Sequence, residues 1–225
     1  MKHILSVSMP RSGHHLLERC MRAVLQERFH YCSYYQDWVR NSYRPCCRTI
    51  PCRQVDEAAA VFMQKSHDFK LKDPLELGAA HLRVVQVRKP VPRLRSNYRL
   101  HLKSGVEDSR KTFLTFAERE RRYYYGFWKK WVVGDRDAVL LPYEQFIANA
   151  AHFIRLIISE LAIDGGIPED LDELLPSALS TGGQGGIHTQ ADDDYELPWV
   201  AQDWAIEYEA DLRALCPQAN EIWGA

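Results

Sequence analysis

The chain opens on a short apolar run, residues 3–8, and passes into a helical repeat. Leu16, Leu17, Cys20, Met21, Val24 and Leu25 recur at the spacing of one helix face, which predicts a helix over about residues 12–28. A second apolar run at 60–64 reads as a strand. A third, Leu-Arg-Val-Val-Gln-Val-Arg at 82–88, is continuous enough for a strand buried on both faces. Pro90 and Pro92 delay the next helix to about Arg93. A helix over about 112–132, a strand at 138–144 and a helix over 145–162 follow. In the last of these, Phe146, Ala150, Phe153, Ile154, Ile157, Ile158 and Leu161 share a face. The final helix is expected over about 198–215. Residues 31–55, rich in Cys, Arg, Tyr and Pro, read as an insertion or lid loop, and residues 180–186 as a flexible glycine-rich loop. Strands alternating with helices imply an α/β fold: a three-layer sandwich with a central parallel sheet.

Composition adds bounds. A chain of 225 residues suits one domain, here taken as 1–225. No run of about 18 apolar residues is present, so no membrane span is expected. The N-terminal apolar segment is too short for a signal peptide, and a complete chain would be cytoplasmic. The net charge of −1 hides a basic middle, residues 83–130, and an acidic end in which Arg213 is the only Lys or Arg after residue 160. A basic middle implies an anionic ligand. No nucleic-acid motif accompanies it, so nucleic acid is not the expected partner. His101, Lys103, Arg119, Arg121 and Arg122 read as a solvated face. His30, Cys32, Cys46, Cys47 and Cys52 cluster in sequence without the paired C-x-x-C spacing of a zinc site, and no metal is assigned.

The chemistry begins after the first strand. Pro-Arg-Ser-Gly-His-His, residues 10–15, lies where a strand turns into a helix. Backbone N–H groups and the macrodipole attract anions there. Gly13 allows close approach, and Arg11 adds a fork of donors. The Gly-Lys-Ser/Thr of an ATP or GTP loop is absent, with His14 and His15 in its place, so the loop is expected to hold an anion without a metal. Arg88 ends the third strand and Ser96 follows eight residues later, a second potential phosphate grip on the ligand-binding edge of a parallel sheet. Lys65 and His67 fall just past the second strand and point the same way. Asp68 reads as an exposed turn residue or the partner of a nearby cation.

This order of segments resembles the sulfotransferase superfamily, whose donor is 3′-phosphoadenosine 5′-phosphosulfate (PAPS) and whose nucleotide product is 3′-phosphoadenosine 5′-phosphate (PAP). The family's 5′-phosphosulfate loop, roughly P-[KR]-S-G-T-T-[WFL], is matched at Pro10, Arg11, Ser12, Gly13 and Leu16. Its 3′-phosphate site, R-x-P with a later Ser and Tyr, is matched at Arg88, Pro90, Ser96 and Tyr98. Its cytosolic branch carries K-[TS]-H, matched by Lys65, Ser66 and His67. Tyr125, Gly126, Trp128, Tyr143 and Glu144 resemble a further helix and strand end.

The resemblance covers about residues 3–165 and implies a P-loop-like 5′-phosphosulfate loop. It implies a cofactor-binding set of Arg11, Ser12, Gly13, His14, His15, Leu16, Arg88 and Ser96. It also implies catalysis by His67 as base with Lys65 and Arg11. The partner is then a hydroxyl-bearing acceptor, a glycan or small molecule, contacted by residues 31–55 and 166–225. Departures stand beside it. His14 and His15 replace paired hydroxyls. Arg11 is shared with the carbohydrate-acting branch, yet Gln64 takes the place of that branch's Glu base. The family's C-terminal R-K-G is missing, and the glycine-rich stretch at 182–189 is read as standing in for that closing loop, with His188 as its contact. A phosphoryl transferase with a degenerate loop and a non-catalytic nucleotide-binding module are the alternatives.

Overall fold

The computed structural model describes residues 1–33, 49–53, 59–76, 81–163, 166–180, 202–215 and 219–223. Five strands form one sheet: β1 (Lys2–Ser8), β2 (Phe29–Cys32), β3 (Val61–Ser66), β4 (His81–Val87) and β5 (Val139–Pro142). Their order is β2-β3-β1-β4-β5, and every pairing is parallel. β1 lies between β3 and β4, with Ser6 opposite Lys65 and Ser8 opposite Gln86. Such a strand has no solvated face, and residues 3–8 are accordingly all buried.

Two helical layers cover the sheet. On one side α1 (His14–Leu25), α4 (Tyr143–Ala148), α5 (Ala150–Leu161) and α6 (Leu171–Ser180) share a core with Ile4, Met63 and Val84. On the other, α2 (Pro90–Leu102), α3 (Arg110–Phe127), α7 (Gln202–Leu215) and α8 (Ala219–Trp223) pack on Leu5, Val7, Val85 and Val87. The expected three layers are therefore present. Arg93 of α2, wholly buried, donates to Glu120 of α3 at 3.0 Å, and Asn97 donates to the same oxygen at 3.0 Å.

Element boundaries differ from expectation for identifiable reasons. The first helix stops at Leu25, and a 3-10 turn (Gln26–Arg28) leads into β2, where irregular chain was expected. α2 starts at Pro90, not Arg93, because a proline in the first turn lacks an N–H that has no partner there anyway. The fourth predicted strand ends at Pro142, so Tyr143 and Glu144 open α4. The helix expected over 145–162 is broken at Asn149, whose side chain accepts from the His152 N–H at 3.2 Å and caps α5. α3 passes into a π-helical segment, Trp128–Val133. α6 was not anticipated, and it buries Leu171, Leu175 and Ala178 against the first core. Most of the 31–55 segment lies outside the described residues, as do the glycine-rich loop from 181, His188 and positions 198–201.

Candidate active site

β1, β3 and β4 end on one edge of the sheet, and the predicted site residues converge there. After β1, Arg11 and Gly13 both adopt left-handed backbone, with φ of 70° and 87°. The Ser12 N–H donates to the Met9 carbonyl at 3.2 Å, closing the turn. The Gly13 carbonyl then accepts from Leu16 and Leu17, which starts α1 and leaves the N–H groups of its first residues outside the helical ladder. A Cβ at Gly13 would lie 2.5 Å from Cδ2 of Tyr143, so glycine is required by both conformation and space.

The two histidines diverge. His14 turns inward: its Nδ1 is 3.1 Å from the Ser6 hydroxyl and its Nε2 is 3.0 Å from the Tyr31 hydroxyl. Burial first, then the charge of Lys65, holds His14 well below the usual histidine range, so the ring is neutral. His15 is exposed at the cleft.

Lys65 belongs to the last turn of the pleat in β3, and His67 lies one residue beyond the strand, so both face the cleft. The His67 Nδ1 is 2.6 Å from the Ser8 carbonyl oxygen. A carbonyl only accepts, so the proton sits on Nδ1 and Nε2 carries the lone pair. Burial, with Lys65 beside it, pushes His67 down to about 3. Burial, then Arg11, lowers Lys65 to about 8, so it remains an ammonium at neutral pH. Asp68 is a buried partner of a cation: Lys130 Nζ donates to it at 2.6 Å.

Arg88 follows β4. It is almost wholly buried, its guanidinium lies 4.4 Å over the Tyr143 ring, and its Nη1 donates to the Arg11 carbonyl at 3.2 Å. Arg11 Nε in turn donates to the Ser96 hydroxyl at 3.0 Å. Arg11 therefore stands between the two predicted phosphate grips.

Together these residues line a cleft of about 330 Å3. Of the predicted set, Arg11, Gly13, His14, His15, Leu16, Lys65, His67 and Arg88 border it. Ser12 is buried behind the loop, and Ser96 is covered by Arg11. One cation was missed: Arg19 also borders the cleft, four residues after His15 on α1. With Arg11, Lys65 and Arg88 it makes four cationic side chains on one concave surface. Leu100, Ile147 and Leu179 give the cleft an apolar rim. Among the described residues no group of three His, Cys, Asp or Glu side chains is placed to hold a metal ion. Among them, too, no helix is long and apolar enough to cross a membrane.

No family model and no curated protein matches the sequence. Solved structures do match. Mouse sulfotransferase SULT7A1, in its complex with PAP, aligns with a TM-score of 0.61 over 95% of this chain and 82% of that one, at 12% identity. The chain has the sulfotransferase fold. A sulfotransferase from Alicyclobacillus acidocaldarius aligns with a TM-score of 0.45 over 80% of this chain and 91% of that one, at 10% identity. In a sulfotransferase fold spanning nearly the whole chain, the cationic cleft occupies the ligand-binding edge of the parallel sheet.

Proposed function

We propose that this chain is a sulfotransferase that moves a sulfuryl group from PAPS to a hydroxyl or amine of an acceptor such as a carbohydrate or small natural product. One observation carries the reading: Lys65 and His67 face the cationic cleft together, and His67 is fixed as a neutral imidazole with Nε2 as its acceptor nitrogen. The cleft suits a bisphosphorylated nucleotide. It gathers Arg11, Arg19, Lys65 and Arg88, and Gly13 lets the loop after β1 close against the Tyr143 ring at the cleft's edge. PAP is also the ligand of the mouse enzyme that shares the fold.

PAPS, when bound, supplies the sulfuryl group and departs as PAP. The chain's own residues then divide the work. Arg88 holds the 3′-phosphate and so distinguishes this nucleotide from ATP or ADP, while Ser96 reaches that site through the Arg11 guanidinium it accepts from. Arg11, Gly13, His15 and the start of α1, with Ser12, His14 and Leu16 shaping the turn, hold the 5′ end. His67 Nε2 takes the acceptor's proton, while its Nδ1–H keeps the bond to Ser8 and orients the ring. A positioned base of this kind contributes about 10²–10⁴ in rate. An anion in the cleft opposes the depression of the His67 pKa and makes the imidazole a stronger base when donor is present. Lys65, an ammonium at pH 7, stabilises charge developing on the departing oxygens. Arg11 can stabilise charge there but cannot donate its proton.

The test is thermal stabilisation by PAP against ADP, with and without magnesium. At 100 times its Kd a ligand adds about 2.7 kcal/mol, which raises Tm by roughly 5–10 °C in a domain of this size. PAP is expected to stabilise without magnesium and ADP far less. Equal effects, or a magnesium requirement, would favour a phosphoryl transferase instead. His67→Ala is expected to abolish transfer and keep PAP binding, and near-normal turnover in that variant would remove His67 as the base.

A further inference from the structure

Apolar contact anchors the turn that bears His67 only in part: Leu71 packs on the core beneath it, but Phe69 is 56% exposed, and Lys70 and Lys72 point to solvent. The turn is held by a carboxylate. Asp68, with a side chain 1% exposed and left-handed backbone at φ 43°, closes the turn by accepting from the N–H groups of Lys72 and Asp73 at 2.7 and 2.9 Å on Oδ1. Its Oδ2 accepts from Lys130 Nζ at 2.6 Å and from Trp131 Nε1 at 2.8 Å. Lys130 Nζ also donates to the Asp73 carbonyl at 2.6 Å. The Tyr123 hydroxyl donates to the carbonyl of His67 itself. Two neighbouring side chains of the π-helical segment thus reach one oxygen of a residue adjacent to His67. π-Helical turns of this kind concentrate at functional sites.

We propose that Asp68, clamped by Lys130 and Trp131, is the positioning residue for His67: it fixes the backbone from which the imidazole reaches the Ser8 carbonyl, and so fixes which ring nitrogen faces the cleft. This rests on the reading of His67 as the base. A buried carboxylate with four donors costs desolvation that an apolar contact would not, and removing one partner of such a pair leaves the other charge exposed to that cost. The arrangement gives in return a rigid direction rather than a large contact area. Asp68 acts through the chain, not on the reacting atoms.

The experiment is NMR of the histidine ring nitrogens in the full-length protein, paired with PAP affinity. The wild type is expected to show His67 as a single Nδ1–H tautomer at neutral pH. Lys130→Met is expected to replace that signal with an exchanging mixture of tautomers while PAP affinity is retained. Lys130→Arg, which keeps the cation, is expected to restore the single tautomer. Should Lys130→Met fail to fold, Trp131→Phe removes one donor with the ring volume nearly kept, and the same loss of a single tautomer is expected there. A wild-type signal without the Nδ1–H tautomer, or a variant that folds and keeps the wild-type signature, overturns the proposal. So does a loss of PAP affinity in step with the tautomer change, since that is general loosening of the fold. Equal binding of PAP and ADP by the wild type would overturn the proposed function yet leave the tautomer result to be read on its own.

Discussion

Placing a methyl group at position 13 probes the geometry on which the loop after β1 depends. Gly13 has a φ of 87°, and an added Cβ would sit 2.5 and 3.0 Å from two carbons of the Tyr143 ring. The left-handed backbone costs a non-glycine residue about 1–2 kcal/mol. Overpacking against a ring that must move costs a further ~1–3 kcal/mol. The smaller conformational freedom of the unfolded alanine chain returns about 0.4–1 kcal/mol. Gly13→Ala should therefore destabilise by roughly 2–4 kcal/mol, a fall in Tm of about 5–15 °C. The ring that must move also supports Arg88 at 4.4 Å, so PAP affinity should fall with it. Urea unfolding of the single and double variants separates the two contributions. In a Tyr143→Ala background the ring atoms nearest the methyl are removed and the backbone cost dominates, so a coupling of about 1–3 kcal/mol is expected. Strict additivity of Gly13→Ala and Tyr143→Ala would refute the close approach of loop and ring.

Three further outcomes follow from the same geometry. His14 is buried neutral, with a folded pKa well below that of the unfolded chain, so the unfolded state binds more protons as pH falls below 6.5. Stability should therefore fall from this group between pH 7 and pH 5, and His14→Leu should make the slope shallower in urea titrations without abolishing it, because His67, held down at about 3, contributes in the same sense. Lys65 sits at about 8 in the free protein, and a polyanion raises it. PAP binding should therefore take up a proton near pH 8.5 and weaken as pH rises above 8, as read by calorimetry in buffers of different ionisation enthalpy, and Lys65→Met should abolish the uptake. Burial pushes the Cys20 thiol up to about 12, so Cys20 should resist a thiol reagent in the native protein at pH 8 and react after unfolding, which mass spectrometry of the labelled peptides would show.

Much of the sheet was legible because β1, β3 and β4 are continuous apolar runs flanked by turns, and each carries a reactive side chain at or just past its end. Lys65, His67 and Arg88 could be placed on one edge from that alone. Gly13 was legible as a glycine between strand and helix. β2 was not, because the break before it falls on Gln26, a non-glycine residue at φ 49° that carries no turn signature. Only four residues follow, with no alternation of apolar and polar positions. Asn149 was hidden differently: the apolar face of α4 continues in phase into α5, so periodicity read two helices as one.

The residues missed at the site share a physical property. Arg19 lies on a helix face that is indistinguishable from a solvated one until the tip of β3 is placed opposite it. Asp68 beside a histidine reads as a surface charge, since its strongest partners, Lys130 and Trp131, are 62 and 63 positions away. A motif names the groups that touch a ligand because those must recur at fixed local spacing. The groups that aim them have no such constraint: any donor that arrives from another element at the right distance will serve. Arg19 apart, sequence thus exposes the lining of this cleft and conceals the layer behind it. The bond between Arg11 Nε and Ser96 makes the same point from within the motifs themselves. Each residue was legible in its own segment, 85 positions apart, yet only the fold brings the two into contact.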